Sequence, residues 1–282
     1  MNIDQGPGLS NVPSRQTVQR RTALVTGASS GIGEAFAHVF AGNGFDVVLV
    51  ARREARLRAV ATDIERTHGV RAHTVVMDLA RRDAVATLMA DLSARALTID
   101  ALVNNAGYGV PGLLNAVSWQ VHADSLQVMV TGVVELTYRL WPGMVERGYG
   151  RVINVASLAG LVPAPAGHPL YGASKAFLIK FSESMANEGR RHGVHVTALC
   201  PGFTLSEFHD VTGTREQMRS LPKWMWLDAA RVAREGYDAV MAGTPIYING
   251  GVNRAVALGI RYAPQWLVHA VGQRMAKSYR KT

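Results

Sequence analysis

From residue 20 onward, short apolar runs alternate with longer amphipathic stretches. Apolar runs of this length predict strands, and the stretches between them have the spacing of helices. Strands are expected at residues 22–26, 45–50, 72–77, 101–103, 151–156 and 194–199. Helices are expected at about 33–42, 53–68, 81–95, 118–147 and 171–192. Such alternation is typical of right-handed β-α-β units, so the sequence predicts an α/β fold with a doubly wound parallel sheet.

A glycine-rich turn follows the first predicted strand, with the spacing Gly-x-x-x-Gly-x-Gly, and a helix-forming segment comes next. Glycines allow a tight turn and close backbone approach, and a helix N-terminus offers unpaired N–H groups to a phosphate. A plain turn is the alternative, but the position between strand and helix favours a dinucleotide site in a Rossmann-type sheet. The residues expected to contact the cofactor here are Gly27, Ser29, Ser30, Gly31, Ile32 and Gly33.

Three polar residues further along form a candidate catalytic group. Tyr171 and Lys175 are four residues apart, which places them on one face of a helix, and Ser157 lies upstream. A nearby ammonium favours the phenolate, so Lys175 is expected to lower the pKa of Tyr171 from its usual value of about 10. Tyr171 would then exchange protons near neutral pH, and Ser157 would hold the substrate oxygen. A chance pairing on one helix face is the alternative, since Tyr-x-x-x-Lys is a loose pattern.

Five motifs occur in a fixed order between residues 20 and 205. They are Thr26-Gly27-x3-Gly31-Ile32-Gly33, Asp78-Leu79, Asn104-Asn105-Ala106-Gly107, Ser157 with Tyr171-x3-Lys175, and Pro201-Gly202-Phe203-Thr204. Over this range the chain resembles the short-chain dehydrogenase/reductase family. The resemblance implies an enzyme that exchanges a hydride between a nicotinamide cofactor and a carbon bearing oxygen, with Ser157, Tyr171 and Lys175 as catalytic residues.

The same resemblance assigns roles at the cofactor. It implies that Asp78 meets the adenine and that Thr204 contacts the nicotinamide amide. Lys175 would hold the ribose beside Tyr171. The other residues that the motifs place at the cofactor are Leu79, Asn105, Ala106, Gly107, Pro201 and Gly202.

The end of the second predicted strand indicates which nicotinamide cofactor is bound. Folds that prefer NAD usually have an acidic residue there for the ribose 2′-hydroxyl. This chain has Arg52 and Arg53 instead, and Asp46 lies at the other end of the strand, on the order of 13 Å away. Arginines suit a 2′-phosphate through charge-assisted hydrogen bonds, so NADP(H) is favoured over NAD(H). A solvated basic helix start is the alternative.

One position departs from the family pattern. The family commonly has an asparagine in the long helix before the fifth strand, where it helps to hold a water that relays protons to the lysine. That position aligns with Met129. A thioether is only a weak acceptor and cannot replace an amide. Three explanations stay open: another group rebuilds the relay, turnover is reduced, or the alignment is shifted. A cofactor-binding regulator without robust catalysis is therefore an alternative function.

Composition limits the other possibilities. The chain has a net charge of +9, but its arginines are scattered without interleaved aromatics, so nucleic acid is not an expected partner. Cys200 is the single cysteine, which favours a reducing compartment and a cytoplasmic location. Neither a secretion signal nor an 18-residue apolar run is present in the sequence, and its histidines do not form a metal-binding pattern.

Residues 1–19 are expected to be a disordered tail, 20–250 the catalytic domain, and 251–282 a C-terminal helical extension. A substrate lid is expected at about 205–227, and its apolar composition favours a hydrophobic carbonyl such as a keto-acyl chain, a steroid-like ketone or a xenobiotic ketone. The resemblance implies a homodimer or homotetramer through helices 118–147 and 171–192.

The C-terminal extension has two possible roles. Its apolar residues have helical spacing and basic residues lie among them, which is also the pattern of an interfacial membrane helix. A helix packed on the domain or on another subunit is the alternative. The residues concerned are Trp266, Leu267, Ala270, Val271 and Met275 on the apolar side, with Arg274, Lys277, Arg280 and Lys281 nearby.

Overall fold

The computed structural model describes residues 20–164, 166–205, 222, 225–264 and 266. In this part of the chain, seven strands form one parallel sheet in the order β3-β2-β1-β4-β5-β6-β9. The strands are β1 (Thr22–Thr26), β2 (Asp46–Ala51), β3 (Ala72–Val76), β4 (Ala101–Asn104), β5 (Gly150–Val155), β6 (Val194–Cys200) and β9 (Ile246–Ile248). Two short strands, β7 (Thr204–Leu205) and β8 (Leu227–Asp228), pair with each other beside this sheet.

Helices follow most of the strands. They are α1 (Gly31–Gly42), α2 (Glu54–His68), α3 (Ala84–Ala94), α4 (Trp119–Leu126), α5 (Gly132–Glu146), α6 (Tyr171–Gly189), α7 (Ala229–Met241) and α8 (Gly251–Tyr262). A π-helical turn, Gln127–Thr131, joins α4 to α5. Short 3₁₀ turns occupy Leu114–Ala116, Leu158–Gly160 and Arg190–His192.

The core lies in two apolar layers, one on each face of the sheet. On one face, Phe36 of α1, Ile64 of α2 and Val232 of α7 are fully buried against the strands. On the other face, Leu88 of α3 and Leu136 of α5 are buried in the same way. β1 itself is buried along its whole length, which fits its apolar sequence and its place in the middle of a parallel sheet. The doubly wound α/β fold is therefore confirmed.

The strand order reverses at β1, which pairs with β2 on one side and with β4 on the other. In an open parallel sheet, ligands bind beyond the carboxyl ends of the strands at such a switch point. Each of the sequence motifs begins at the last residue of one of β1, β3, β4, β5 or β6 or within two residues after it, and Tyr171 and Lys175 lie in the first turns of α6. The fold therefore brings the motifs to one edge of the sheet.

The first six predicted strands agree with the structure to within one residue at each end. The helix predicted at about 118–147 is confirmed, since α4, the π-helical turn and α5 follow one another without a break from Trp119 to Glu146, and the π-helical turn inserts an extra residue into the helical repeat. The sequence analysis did not predict β9, α7 or the β7–β8 pair.

Three regions fall outside the described residues: the tail at 1–19, most of the predicted lid (206–221 with 223 and 224), and the extension from 267 onward. The described part of the extension contains α8, which ends before Pro264. Among the helices that the structure describes, none combines the length and apolarity that a membrane crossing requires.

Candidate active site

The glycine-rich turn forms a bare backbone surface between β1 and α1. Gly27 and Gly31 have φ angles of +67° and +60°, in the left-handed region that favours glycine. A Cβ atom on Gly33 would collide with the carbonyl oxygen of Gly27. The N-terminus of α1 opens at this turn, where its first N–H groups can bind an anion. The side chain of Ile32 packs toward the apolar core, so Ile32 can contribute its backbone to this surface.

Thr26 and Asn105 tie the glycine-rich turn to the loop after β4. The Thr26 hydroxyl donates to the carbonyl oxygen of Val103 and accepts hydrogen bonds from the N–H groups of Asn105 (2.9 Å) and Ala106 (3.1 Å). The amide of Asn105 donates to the Thr26 carbonyl oxygen at 3.0 Å. The sequence analysis did not include Thr26 among the site residues, although its position directly before Gly27 was a signal.

Arg53 reaches across the glycine-rich turn from the end of β2. Its guanidinium donates to the hydroxyls of Ser30 at 2.7 Å and Ser29 at 3.1 Å. Arg52, beside it, is exposed. Asp46 lies at the opposite end of β2, where it accepts a hydrogen bond from the N–H of Arg71. The end of β2 therefore presents positive charge to the turn.

Asp78 and Leu79 follow β3 on the same edge of the sheet. The Asp78 carboxylate accepts a hydrogen bond from the N–H of Ala80 at 3.0 Å, which fixes the side chain within its own loop. Leu79 is buried in the apolar layer beneath.

Ser157, Tyr171 and Lys175 come together where β5 ends and α6 begins. Ser157 follows β5, and its hydroxyl accepts a hydrogen bond from the N–H of Ala159 and forms another with Tyr171. Lys175 lies one turn along α6 from Tyr171, with its Nζ 5.7 Å from the centre of the tyrosine ring. The same Nζ donates to the carbonyl oxygen of Val155 at 2.7 Å. The structure thus brings all three predicted catalytic residues together.

The expected effect of Lys175 on Tyr171 is wrong for this structure. Burial raises the pKa of Tyr171, and the hydrogen bond with Ser157 is what acts to lower it. The physical reason is that the ammonium is directed to the carbonyl oxygen of Val155. Lys175 is itself 5% exposed, and burial lowers its pKa from 10.5 to about 8.

Met129 lies beside this lysine. A Cβ atom on Gly107 would be 3.3 Å from the Met129 Cγ and 3.8 Å from the Lys175 Nζ, so the three residues meet. Met129 is 1% exposed and lies in the π-helical turn. Its sulfur accepts a long hydrogen bond (3.9 Å) from the Ser174 hydroxyl. Met129 therefore lies next to Lys175, as expected for a residue at the position of the family's asparagine.

The loop after β6 completes this edge of the sheet. The N–H of Leu158 donates to the carbonyl oxygen of Pro201 at 2.9 Å, which joins the loops after β5 and β6. The Thr204 hydroxyl donates to the carbonyl oxygen of Gly202 at 3.1 Å, and Thr204 is buried. Gly202 also packs tightly against Asn253 of α8.

Within the ranges that the structure describes, no cluster of His, Cys, Asp and Glu side chains is arranged to hold a metal ion. Cys200 is fully buried at the end of β6, and burial raises its pKa to about 12. At that pKa the thiol is a poor nucleophile.

Comparison with known proteins agrees with these features. The family described as short chain dehydrogenase matches residues 21–217. Sulfoacetaldehyde reductase 2 of Chromohalobacter salexigens is 32% identical over 256 residues, which cover 88% of this chain and 97% of that protein. An NADP-dependent 3-hydroxy acid dehydrogenase of Salmonella typhi is 37% identical over 185 residues, covering 64% of this chain and 71% of that protein.

Solved structures give the same picture. A short-chain dehydrogenase from Sphingobium yanoikuyae in complex with NADPH has a TM-score of 0.75 at 30% identity, covering 84% of this chain and 92% of the other. L-sorbose reductase from Gluconobacter frateurii, complexed with NADPH and L-sorbose, has a TM-score of 0.71 at 26% identity, covering 83% and 96%.

Proposed function

The chain belongs to the short-chain dehydrogenase/reductase family of oxidoreductases, and on that premise we propose that it is an NADP(H)-dependent enzyme acting on a hydrophobic ketone or secondary alcohol. The observation that carries the proposal is the meeting of Ser157, Tyr171 and Lys175 on the same edge of the sheet as the glycine-rich turn.

Each of the three side chains has a role in this reaction. A bound nicotinamide would supply or accept the hydride. Tyr171 would donate its proton to the carbonyl oxygen as negative charge develops there, while Ser157 would donate a hydrogen bond to the same oxygen. Burial raises the pKa of Tyr171 and so favours the neutral phenol, which is the form that donates a proton in the direction of reduction. Lys175, whose ammonium is held by the carbonyl oxygen of Val155, would hold the ribose.

NADP(H) fits the residues at the end of β2. The guanidinium of Arg53 is held over Ser29 and Ser30, and Arg52 stands beside it in solvent. Both could pair with a 2′-phosphate, and the described part of β2 ends without an acidic residue for a 2′-hydroxyl. Two relatives in the comparison are NADPH complexes, which supports the same cofactor.

The preference for a hydrophobic substrate rests on residues of this chain. Phe203 and Trp226 lie with ring centres 5.8 Å apart beside the loop after β6, and Leu205 next to them is 61% exposed. Two of the relatives are named for polar substrates, sulfoacetaldehyde and L-sorbose.

The decisive experiment measures NADPH oxidation by the purified protein with two groups of carbonyls. One group holds keto-acyl esters, steroid ketones and aromatic ketones, and the other holds small polar carbonyls, including sulfoacetaldehyde. We expect turnover with the first group, and we expect Tyr171→Phe to reduce it by about 10² to 10⁴-fold without loss of NADPH binding. Undiminished turnover in Tyr171→Phe would contradict the mechanism, and turnover restricted to polar carbonyls would contradict the substrate class.

Met129 keeps one alternative open. A buried thioether beside Lys175 favours a cofactor-binding protein of this family with impaired catalysis. NADPH binding without oxidation by any carbonyl of the panel would support this alternative.

We also propose that the protein is a homodimer or homotetramer that assembles through α5 and α6. Tyr138 of α5 is 73% exposed and Phe177 of α6 is 41% exposed, and the Phe177 ring stacks on that of Phe181. Exposed aromatics on neighbouring helices are typical of an interface. The single cysteine is consistent with a cytoplasmic location as part of the same proposal.

A further inference from the structure

The loop after β6 lies against helix α8 at one close contact. A Cβ atom on Gly202 would be 2.5 Å from Nδ2 and 2.7 Å from Oδ1 of Asn253, so the Asn253 amide packs directly on the Gly202 backbone. The φ angle of Gly202 is not positive. It is therefore the neighbouring amide, and not the backbone conformation, that leaves room only for glycine at this position.

Asn253 is itself held in place from the buried side. Its amide donates to the carbonyl oxygen of Asn249 at 2.7 Å. Asn249 is fully buried directly after β9, and its own amide donates to the carboxylate of Glu235 on α7 at 2.9 Å. Burial acts to raise the pKa of Glu235, but hydrogen bonds from Arg231 and Asn249 lower it overall, so the acceptor is a charged carboxylate. β9 and α7 thus fix the position of Asn253.

The position of Gly202 in turn determines that of Thr204. The Thr204 hydroxyl donates to the carbonyl oxygen of Gly202 at 3.1 Å, and Thr204 is 4% exposed. The start of the same loop is tied to the catalytic group, because the N–H of Leu158, next to Ser157, donates to the carbonyl oxygen of Pro201. A displacement of Gly202 would therefore move Thr204 relative to Ser157.

We propose that Asn253 is a positioning residue for the nicotinamide half of the cofactor, and that it acts through Gly202. The proposal rests on the NADP(H)-dependent function proposed above, since it takes Thr204 as the residue beside the nicotinamide. Arg52 and Arg53, which are expected at the 2′-phosphate, lie at the end of β2, and three strands separate β2 from β6. Displacement of Gly202 should therefore weaken contacts with the nicotinamide and leave the adenosine half in place.

The test compares the binding of two ligands to the full-length protein by titration calorimetry. NADP⁺ has both halves, whereas adenosine 2′,5′-bisphosphate has the 2′-phosphate and the adenine without the nicotinamide. Asn253→Ala removes the amide that packs on Gly202. We expect it to weaken NADP⁺ binding by roughly three- to tenfold and to change bisphosphate binding by less than about twofold. With a carbonyl that is turned over, kcat should fall by about tenfold or more, because hydride transfer depends on the placement of the ring.

Asn43→Ala is the matched control. The Asn43 amide makes the same kind of hydrogen bond as that of Asn253, to the carbonyl oxygen four residues earlier (Val39), and the distance is also 2.7 Å. Asn43 is exposed at the carboxyl end of α1. Its substitution should leave the binding of both ligands unchanged. Thermal unfolding of the two variants measures how much stability the lost hydrogen bond costs in each.

Gly202→Ala tests the same contact from the other side. Its methyl group would collide with the Asn253 amide, so this variant should also bind NADP⁺ more weakly. When Gly202→Ala is combined with Asn253→Ala, the methyl group has room. The double variant should then bind NADP⁺ no more weakly than the weaker of the two single variants. Losses that simply add in the double variant would show that the two residues act separately, and would overturn the proposal.

The binding comparison has further outcomes that would overturn it. They are an Asn253→Ala variant that binds NADP⁺ as tightly as the wild type, an equal loss of affinity for both ligands, and the same selective loss in Asn43→Ala. Wild-type protein that binds NADP⁺ but oxidises NADPH with none of the carbonyls would instead contradict the catalytic function proposed above. The role of Asn253 would still be decided by the two affinities.

Discussion

At the scale of single residues, the ammonium of Lys175 stands in an environment that opposes its charge. The residue is 5% exposed, and its Nζ has a backbone carbonyl as its hydrogen-bond partner. The titratable neighbours are Tyr171 on the same helix and Cys200 on β6, and both are neutral at neutral pH. Burial therefore lowers the lysine pKa to about 8. A buried cation suits a site that binds an anionic cofactor, but the burial of its charge lowers the stability of the folded protein.

We predict that Lys175→Met stabilises the fold at neutral pH by about 1 to 3 kcal/mol while it abolishes activity. The folded-state pKa is below the unfolded value of 10.5, so the burial cost is fully present below about pH 8 and fades as the pH rises toward 10.5. The gain should therefore shrink as the pH approaches 10. Denaturant unfolding at neutral and alkaline pH measures both effects.

Lys180→Met provides the control for that experiment, because Lys180 is an exposed lysine on the same helix, paired with Glu183. Its substitution should change the unfolding free energy by less than about 1 kcal/mol. A Lys175→Met variant whose stability relative to the wild type is the same at both pH values would contradict the argument.

At the scale of elements, the π-helical turn between α4 and α5 decides what stands beside the lysine. The extra residue in this turn brings Met129 against Gly107 and Lys175. Such turns are rare and often occur at functional sites. The sequence carries an ordinary apolar pattern here, and for that reason it predicted the helix but not the π-helical turn within it.

We predict that Met129→Asn increases kcat, by up to about tenfold, because an amide beside Lys175 can take part in proton transfer where a thioether cannot. The same change should lower stability by about 1 to 3 kcal/mol, since it buries a polar group. Steady-state NADPH oxidation and thermal unfolding measure the two effects. Met129→Leu keeps the site apolar at similar volume and is the reference. A Met129→Asn enzyme no faster than Met129→Leu would exclude a missing amide as the limit on turnover.

The outer surfaces of α5 and α6 lead to a prediction about assembly. Phe177→Glu places a charge in the proposed interface, so the apparent mass should fall toward that of a single chain. Light scattering after size exclusion measures it. Val76→Glu, at a valine on the far edge strand β3 that is 50% exposed, should leave the mass unchanged. An unaltered mass in Phe177→Glu would place the interface elsewhere or exclude it.

How much the sequence could predict also differs between elements. Apart from the edge strand β3, the first six strands are largely buried, mostly apolar runs of four to seven residues, and a run of that kind is visible without tertiary information. β9 has three residues and, within the described part of the chain, pairs with β6 alone, so its identity depends on a neighbour distant in sequence. Sequence spacing was enough to predict that Ser157, Tyr171 and Lys175 come together. The hydrogen bond from Lys175 to the carbonyl oxygen of Val155 could not be predicted, because it depends on how α6 packs on β5.

At the scale of the whole molecule, cofactor binding should be visible as added stability. A ligand at about one hundred times its dissociation constant stabilises the folded state by about 2.7 kcal/mol, which corresponds to roughly 5 to 10 °C in Tm for a chain of this size. We predict this shift with NADPH and a smaller one with NADH at equal concentration. Differential scanning fluorimetry measures both.

Arg53→Gln should remove most of the difference between the Tm shifts caused by NADPH and by NADH. The reason is that a charged hydrogen bond to the 2′-phosphate contributes about 1.5 to 3 kcal/mol of binding free energy. Arg58→Gln, at an exposed arginine on α2 that pairs with Glu54, should keep the difference. Equal shifts with NADPH and NADH in the wild type would overturn the assignment of NADP(H).

The burial of Cys200 has a practical consequence for spectroscopy. Since the chain has no other cysteine and this thiol is sealed at the end of β6, maleimide reagents should leave the folded wild type unmodified. A cysteine introduced at an exposed position, such as Trp266→Cys, would then be the sole group to take up a fluorophore or spin label. Site-directed labelling of this protein can therefore start from the natural sequence, without a preparatory cysteine-free background.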